Sequence, residues 1–391
     1  MHLWPRHTGS IVMRVTAAVA ALALAFAADA GPREQAKRIH DRITGVPPSN
    51  AVLDAMEADI VGGQVQQAAL RAMDDPAFYA VTLKNLVTPW TNRDQTVFAP
   101  LNDYTATVIG MVRDDVPFNE LLSGDILYVG NAGLGLPAVS ASSNTHYEQL
   151  ESRGIDLRTG LQRTTQSGVY GIPATATAGV MTSRAAAQSF FIAGTNRAMF
   201  RFTMLNHLCR ELDETQDTTR PPDRIRQDVS RSPGGDARLF MNNCVGCHSG
   251  MDPMAQAFAY YTYDDTQGRL IYTAGSVQPK YSLNADTFRY GYVTPNDAWE
   301  NRWRRGPNAL LGWDSAMAGS GTGAKSLGQE LGNSDAFASC QVEKVFRTVC
   351  LRSPTDTADR NQIGSMVSSF RSSGFRLKQA FADAANYCKG Q

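Results

Sequence analysis

Cys244-Val245-Gly246-Cys247-His248 is a CxxCH pentapeptide, and its reading organises the rest of the chain. Two thiols separated by two residues reach the two vinyl groups on one porphyrin edge. The histidine beside the second thiol then supplies an axial nitrogen to the iron. The motif predicts one covalently attached haem c, with Cys244 and Cys247 as attachment points and His248 as proximal ligand. Zinc is the competing reading of such a string. A zinc site wants a second pair of ligands at similar spacing, and the sequence contains no other CxxC.

Haem attachment of this kind, and disulfides with it, belong to an oxidising compartment. The start of the chain is consistent with export. Arg6 and Arg14 form a basic region, Val15 to Ala27 is an apolar run, and Ala28-Asp29-Ala30 fits the small-x-small cleavage pattern. Residues 1–30 are therefore expected to be a signal peptide, with an uncleaved membrane anchor as the alternative, and the mature protein to be periplasmic or secreted.

Of 37 basic and 37 acidic residues, removal of Arg6, Arg14 and Asp29 leaves 35 against 36. A balance so close to zero gives no support for nucleic-acid or anionic-membrane binding. No stretch of the expected mature chain has the apolar length of a membrane span.

The six cysteines leave four beyond the motif: Cys209, Cys340, Cys350 and Cys388. Cys340 and Cys350 fall on one expected helix, about 15 Å apart at 1.5 Å per residue, too far for a bridge. Cys388 ends the last of three expected C-terminal helices, a position that returns it to the level of Cys350. The expected pairs are Cys350–Cys388 and Cys209–Cys340.

The fold class expected is mainly α, in three units. Residues 31–135 read as a helical N-terminal unit. Helices are expected at Glu34 to Ile43, stopped by Gly45 and Pro47-Pro48, at Ala51 to Ile60 with Asn50 as cap, and at Val65 to Met73. A further helix opens at Asp75-Pro76. His40 reads as a surface residue. Asn102 to Val112 is another helix, and Tyr128 to Ala141 reads as loop. Residues 136–330 are expected to form the haem-binding, cytochrome c-like module. Within it Leu212 to Arg231 looks solvated, Ser249 to Pro253 looks like the start of a new helix, and Gly268 to Tyr272 like a short strand or turn. Residues 331–391 form the C-terminal helical domain, where Val342, Val345, Phe346 and Val349 set an i, i+3, i+4, i+7 pattern that recurs twice.

The run from Cys244 to Pro253, with Ala257 and the Asp264-Asp265-Thr266-Gln267-Gly268-Arg269 turn, resembles the haem module of the planctomycete-type c-type cytochrome proteins. That module reads CxxCH, two residues, then Met-Asp-Pro. Upstream, Gly179 to Thr182 and Thr195-Asn196-Arg197 are similar to the segment preceding the haem in that family, and the helices from Leu331 to Cys388 to its small C-terminal domain. The chain departs from the pattern at Ala255, where the family has glycine. The resemblance implies a periplasmic single-haem protein and supplies no substrate.

Function then turns on the far side of the iron. A methionine there closes the iron for electron transfer, whereas an open or histidine-lined pocket admits oxygen or peroxide. Met317, in a Gly/Ala/Ser-rich loop, is the expected sixth ligand, with Met366 and His207 behind it. Met251 and Met254 follow His248 too closely. Arg197, Arg231 and Arg269 are candidate partners for the haem propionates, and Trp299 and Trp303 a candidate face for a redox partner protein. The expected function is single-electron transfer between protein partners rather than enzymatic catalysis. The alternatives are a peroxidase-like haem enzyme or ligand sensor, for which His40, His146 and His207 are the distal candidates, and a binding or assembly protein with a structural haem.

Overall fold

Gly45 and the prolines beyond it stop the first helix. In the computed structural model, which describes residues 30–192, 194–282 and 290–390, helix α1 spans Pro32–Thr44. Gly45 then takes a left-handed conformation, φ 77°, and donates its N–H to the Asp41 carbonyl at 2.9 Å, the helix-ending role glycine fills without steric cost. Helices α2 (Asn50–Val61) and α3 (Val65–Ala72) follow. The cap of α2 is Ser49 rather than Asn50, its hydroxyl accepting from the Val52 N–H at 3.3 Å. Asp75 accepts from the Ala77 N–H at 2.8 Å where the next helix opens, as the Asp-Pro pair requires. Asn102 caps α4 (Asp103–Arg113) through Thr105 N–H at 3.0 Å. His40 is not a surface residue: it is buried in α1, with Nδ1 3.0 Å from the Val46 carbonyl.

The chain is mainly helical, and its sheet content among the described residues is three two-stranded antiparallel pairs. One corrects the loop reading. Strand β1 (Leu127–Gly130) pairs with β2 (Leu161–Thr164), and all four β1 residues are buried. The alternation expected of a half-exposed strand is missing because both faces of β1 are covered.

Helix α5 (Arg197–Thr203) leads to α6 (Val245–Ala255), the helix that carries the CxxCH motif. Strands β3 (Tyr261–Asp264) and β4 (Arg269–Tyr272) then form the expected turn-linked pair, and β5 (Ala298–Glu300) pairs with β6 (Ser320–Thr322). The last four helices are α7 (Gly323–Gly332), α8 (Asp335–Cys350), α9 (Thr357–Ser372) and α10 (Leu377–Cys388). The three apolar stripes read from the sequence are the buried faces of α8 to α10.

One buried apolar cluster runs from Ala36 to Ala385. The N-terminal and C-terminal helices share it: Phe78, in the helical turn after α3, meets Phe381 edge-on at 5.0 Å, and Arg38 and Arg42 of α1 bond the main-chain oxygens of Lys389 and Cys388. Both expected disulfides are formed, Cys209–Cys340 and Cys350–Cys388. Among the described residues no helix is long and apolar enough to cross a membrane.

Asp359 closes the C-terminal helices over the second disulfide. Its carboxylate accepts two bonds from Arg352, one from the Thr355 N–H at 2.9 Å and one from the Tyr387 hydroxyl at 2.9 Å. Arg352 first, then these donors, hold its pKa below the usual carboxylate range. A carboxylate depressed on folding stabilises the fold above its unfolded pKa of about 3.9, and that contribution fades as pH falls towards the folded value. The melting temperature of an Asp359→Asn variant is therefore expected to lie below that of the wild type near neutrality. The gap should narrow steadily on acidification below about pH 4. A gap that stayed constant to pH 2 would show that the charge of Asp359 contributes nothing.

Candidate haem-attachment site

A turn at Phe240–Cys244 runs directly into α6, so Cys244 closes one helical segment and opens the next. Cys247 lies three residues on, which places the two thiols on one face of the helix. With the other four cysteines bridged, Cys244 and Cys247 are the two free ones, and both are half-buried. Burial first, with Asp213 and Cys244 adding to it, pushes the Cys247 thiol above its ordinary pKa. Its Sγ donates to the Leu212 carbonyl at 3.1 Å.

Pro253 does not begin a new helix. It lies inside α6, late enough that its missing N–H interrupts only the final turn. The continuity has a chemical consequence, because His248 and Asp252 are then four residues apart on a single helix and face each other. The Asp252 Oδ1 is 3.1 Å from His248 Nδ1. A carboxylate only accepts, so Nδ1 carries a proton, and in the neutral imidazole Nε2 is the nitrogen that keeps a lone pair. The His248 side chain keeps 20% exposure while that of Asp252 has none.

A buried carboxylate needs compensation, and Asp252 receives it from two directions. Arg197 donates from Nε at 2.7 Å and Nη2 at 2.9 Å, and the main-chain N–H of Arg226 donates at 3.3 Å. The Arg226 guanidinium stands 3.8 Å away. Burial would raise the pKa of Asp252, but the charges of Arg197 and Arg226 and the bonds from Arg197 and His248 hold it well below the usual range. Arg197 in turn grips Asp228 at 2.6 and 2.8 Å. The result is one line of contacts, His248–Asp252–Arg197–Asp228.

The Thr195-Asn196-Arg197 segment is the scaffold of this line. Thr195 Oγ1 accepts from Arg226 at 2.8 Å and donates to Asp228 at 3.1 Å. Asn196 donates to the carbonyls of Phe258 and Tyr261, both at 2.8 Å, and holds the turn that leads from α6 into β3. Gly250 is fixed by packing: a Cβ there would lie 1.8 Å from the Trp303 indole nitrogen. Trp299 and Trp303 are 3% and 0% exposed and sit on β5 and the turn after it. They are core residues behind α6 and present no docking face.

The segment Leu212 to Arg231 is less solvated than its charge suggests. Ile225 and Arg226 are buried, the latter with its guanidinium 4.8 Å above the Tyr281 ring and with Nε and Nη1 lacking a hydrogen-bond partner among the described residues. Arg197 and Arg231 are committed to protein oxygens, Arg231 to the carbonyls of Val229 and Ile225 at 2.8 Å each. Arg269 is exposed on β4.

Ile225, Phe240 and Val245 pack with Val229 and Cys244 into a small apolar cluster separate from the main core. Leu239 and Met241, in the turn before Cys244, expose 44% and 57% of their surface. This is apolar surface of the kind a porphyrin covers. The donor set fits a haem: two unbridged thiols on one helix face, an adjoining imidazole fixed through Nδ1, and apolar surface beside them. It does not fit a closed zinc site, since no group of three or more His, Cys, Asp or Glu side chains among the described residues is placed to hold a metal ion.

Met317 lies half-buried in the turn after Asp314, its N–H bonded to the Asp314 carbonyl at 3.1 Å. Arg304 secures that turn, bonding the same carbonyl at 2.8 Å and Glu330 at 2.7 and 2.8 Å. Met251, Met254 and Met366 are buried in the main core. His207 is buried with Nε2 2.7 Å from the Tyr104 hydroxyl, and burial, with Lys344 adding to it, pulls its pKa well down. His146 accepts from the Gly130 N–H at 2.9 Å and bonds the Pro137 carbonyl at 2.7 Å. His40, His146 and His207 each hold a ring nitrogen in a hydrogen bond to residues outside α6.

Residues 1–29 of the expected signal peptide lie outside the described residues. No family model, curated protein or solved structure matches the chain.

Proposed function

We propose that this chain is an exported monohaem c-type cytochrome that carries single electrons between protein partners. The observation that carries the reading is the His248 arrangement: two unbridged cysteines precede an imidazole whose Nδ1 is tied to buried Asp252, so that Nε2 alone is presented as a ligand. When bound, the haem supplies an iron that cycles between ferric and ferrous states. Cys244 and Cys247 hold its edge, His248 binds the iron, and the Asp252–Arg197 pair keeps the imidazole from rotating. Residues 136–330 are the haem module on this reading, between the helical N-terminal unit and the C-terminal helices, and a redox protein is the partner. The two disulfides support a periplasmic or secreted location.

Electron transfer is favoured over peroxide chemistry because His40, His146 and His207 are each buried with a ring nitrogen held in a hydrogen bond within the fold. A peroxidase-like site needs a free distal acid or base. Met317 is proposed as the sixth ligand. The ferric protein is then expected to be low-spin, and the reduced protein to leave carbon monoxide unbound at neutral pH. Met317→Ala should open the iron and give a carbon monoxide complex. A wild type that is high-spin, or that binds carbon monoxide readily when reduced, would remove the electron-transfer assignment. A Met317→Ala protein with the wild-type spectrum would remove Met317 alone.

A further inference from the structure

A second site stands apart from the haem motif. A cleft of about 650 Å³ lies between the end of the His207 helical turn and α8, with the Cys209–Cys340 disulfide in its wall. That volume falls in the range of small-molecule sites, about 300–1,000 Å³. Trp90, Leu205, Leu208 and Leu311 give it apolar sides.

Its charges are mostly matched. Among the carboxylates at the cleft, Glu211 pairs with Arg201 at 3.1 Å, Asp335 with Arg371 at 2.6 Å, Glu343 with Arg347 and Glu214 with Arg210. Lys344 differs. Its Nζ stands 4.0 Å from the centre of the Trp90 ring and donates to the Asn206 main-chain oxygen, and no carboxylate among the described residues forms an ion pair with it. The ring and the carbonyl orient the ammonium but do not neutralise it.

We propose that this cleft binds an amphipathic organic monocarboxylate, with the carboxylate paired to Lys344 and the apolar portion lying along Trp90 and the leucines. Burial, with Arg347 adding to it, pulls the Lys344 pKa down to about 7. An anion beside it would offset that cost and favour the charged amine. The apolar walls reward a hydrocarbon tail, and the matched carboxylates around the rim leave Lys344 as the point of attraction for a small anion.

The test is calorimetric titration of the full chain with octanoate and with octanol, which shares the tail but lacks the charge. Octanoate is expected to bind saturably at one site and at least tenfold more tightly than octanol. Lys344→Gln should lose at least tenfold for octanoate and leave octanol unchanged. Should that variant not fold, octanoate protection of Lys344 from acylation in the wild type, read by mass spectrometry against exposed Lys37, provides the same test. Absence of saturable octanoate binding, equal binding of octanol, an unaffected Lys344→Gln protein, or no protection would each overturn the proposal.

Discussion

Produced in a host with active export and haem-attachment machinery, the wild-type protein is expected to retain one haem through denaturing electrophoresis, and Cys244→Ala/Cys247→Ala to retain none. The effect is all-or-none because covalent retention depends on the thioether bonds and on no folded contact. Each single cysteine variant keeps one thiol in place and should still show haem on the gel, in lower yield. His248→Ala leaves both thiols and removes only the imidazole, so residual covalent haem with an altered spectrum is expected. The pyridine haemochrome and the intact mass read all four proteins. None of these changes touches a disulfide, since Cys209–Cys340 and Cys350–Cys388 lie elsewhere, and the far-ultraviolet dichroism of each should confirm a folded chain. A wild type without covalent haem, or a double variant that keeps it, would end the cytochrome reading outright.

The parts of this architecture that were legible in the sequence are those governed by local chemistry. Gly45, Asp75-Pro76 and Asn102 mark helix ends because capping acts over three or four residues. The C-terminal stripes were readable because three successive helices each bury one face. The same periodicity placed Cys350 near Cys388.

What was not legible depends on distant parts of the chain. Strand β1 looks like loop because its partner, β2, is some thirty residues away and both its faces are covered. Trp299 and Trp303 read as a surface pair, yet Gly250 leaves the gap into which Trp303 packs. Arg226 sits in a highly charged segment and is nevertheless buried beside Asp252. At the site itself, the cysteines and histidine were readable as a motif, while the role of Asp252 was not. The signal was present as His and Asp at i and i+4, but it depended on a helix running unbroken through Pro253.

Removal of Asp252 is the second change expected to have a large effect, and it acts through two routes that can be separated. Asp252→Ala strands Arg226 in the interior and leaves Arg197 with Asp228 alone. Breaking a buried pair by deleting one member costs about 3–5 kcal/mol, so the urea midpoint should fall sharply. Arg197→Ala should cost a comparable amount by stranding the carboxylate instead. The double variant strands less than the two single ones together, so its loss should fall short of their sum, as coupling through a shared contact requires. The second route runs through His248. Without its acceptor the imidazole loses its orientation and some of its basicity, changes that typically cost about 10–100-fold in metal affinity or activity. Asp252→Asn separates the routes, since its side-chain oxygen still accepts from Nδ1 while the negative charge is gone. Its reduction potential should rise above that of the wild type, because a neutral acceptor makes the imidazole a poorer donor to the iron. Urea titration and a potentiometric titration of the wild type and the variants measure both. An Asp252→Ala protein as stable as the wild type would show that the buried network does not hold α6. An unchanged potential in Asp252→Asn would show that the carboxylate orients His248 without tuning it.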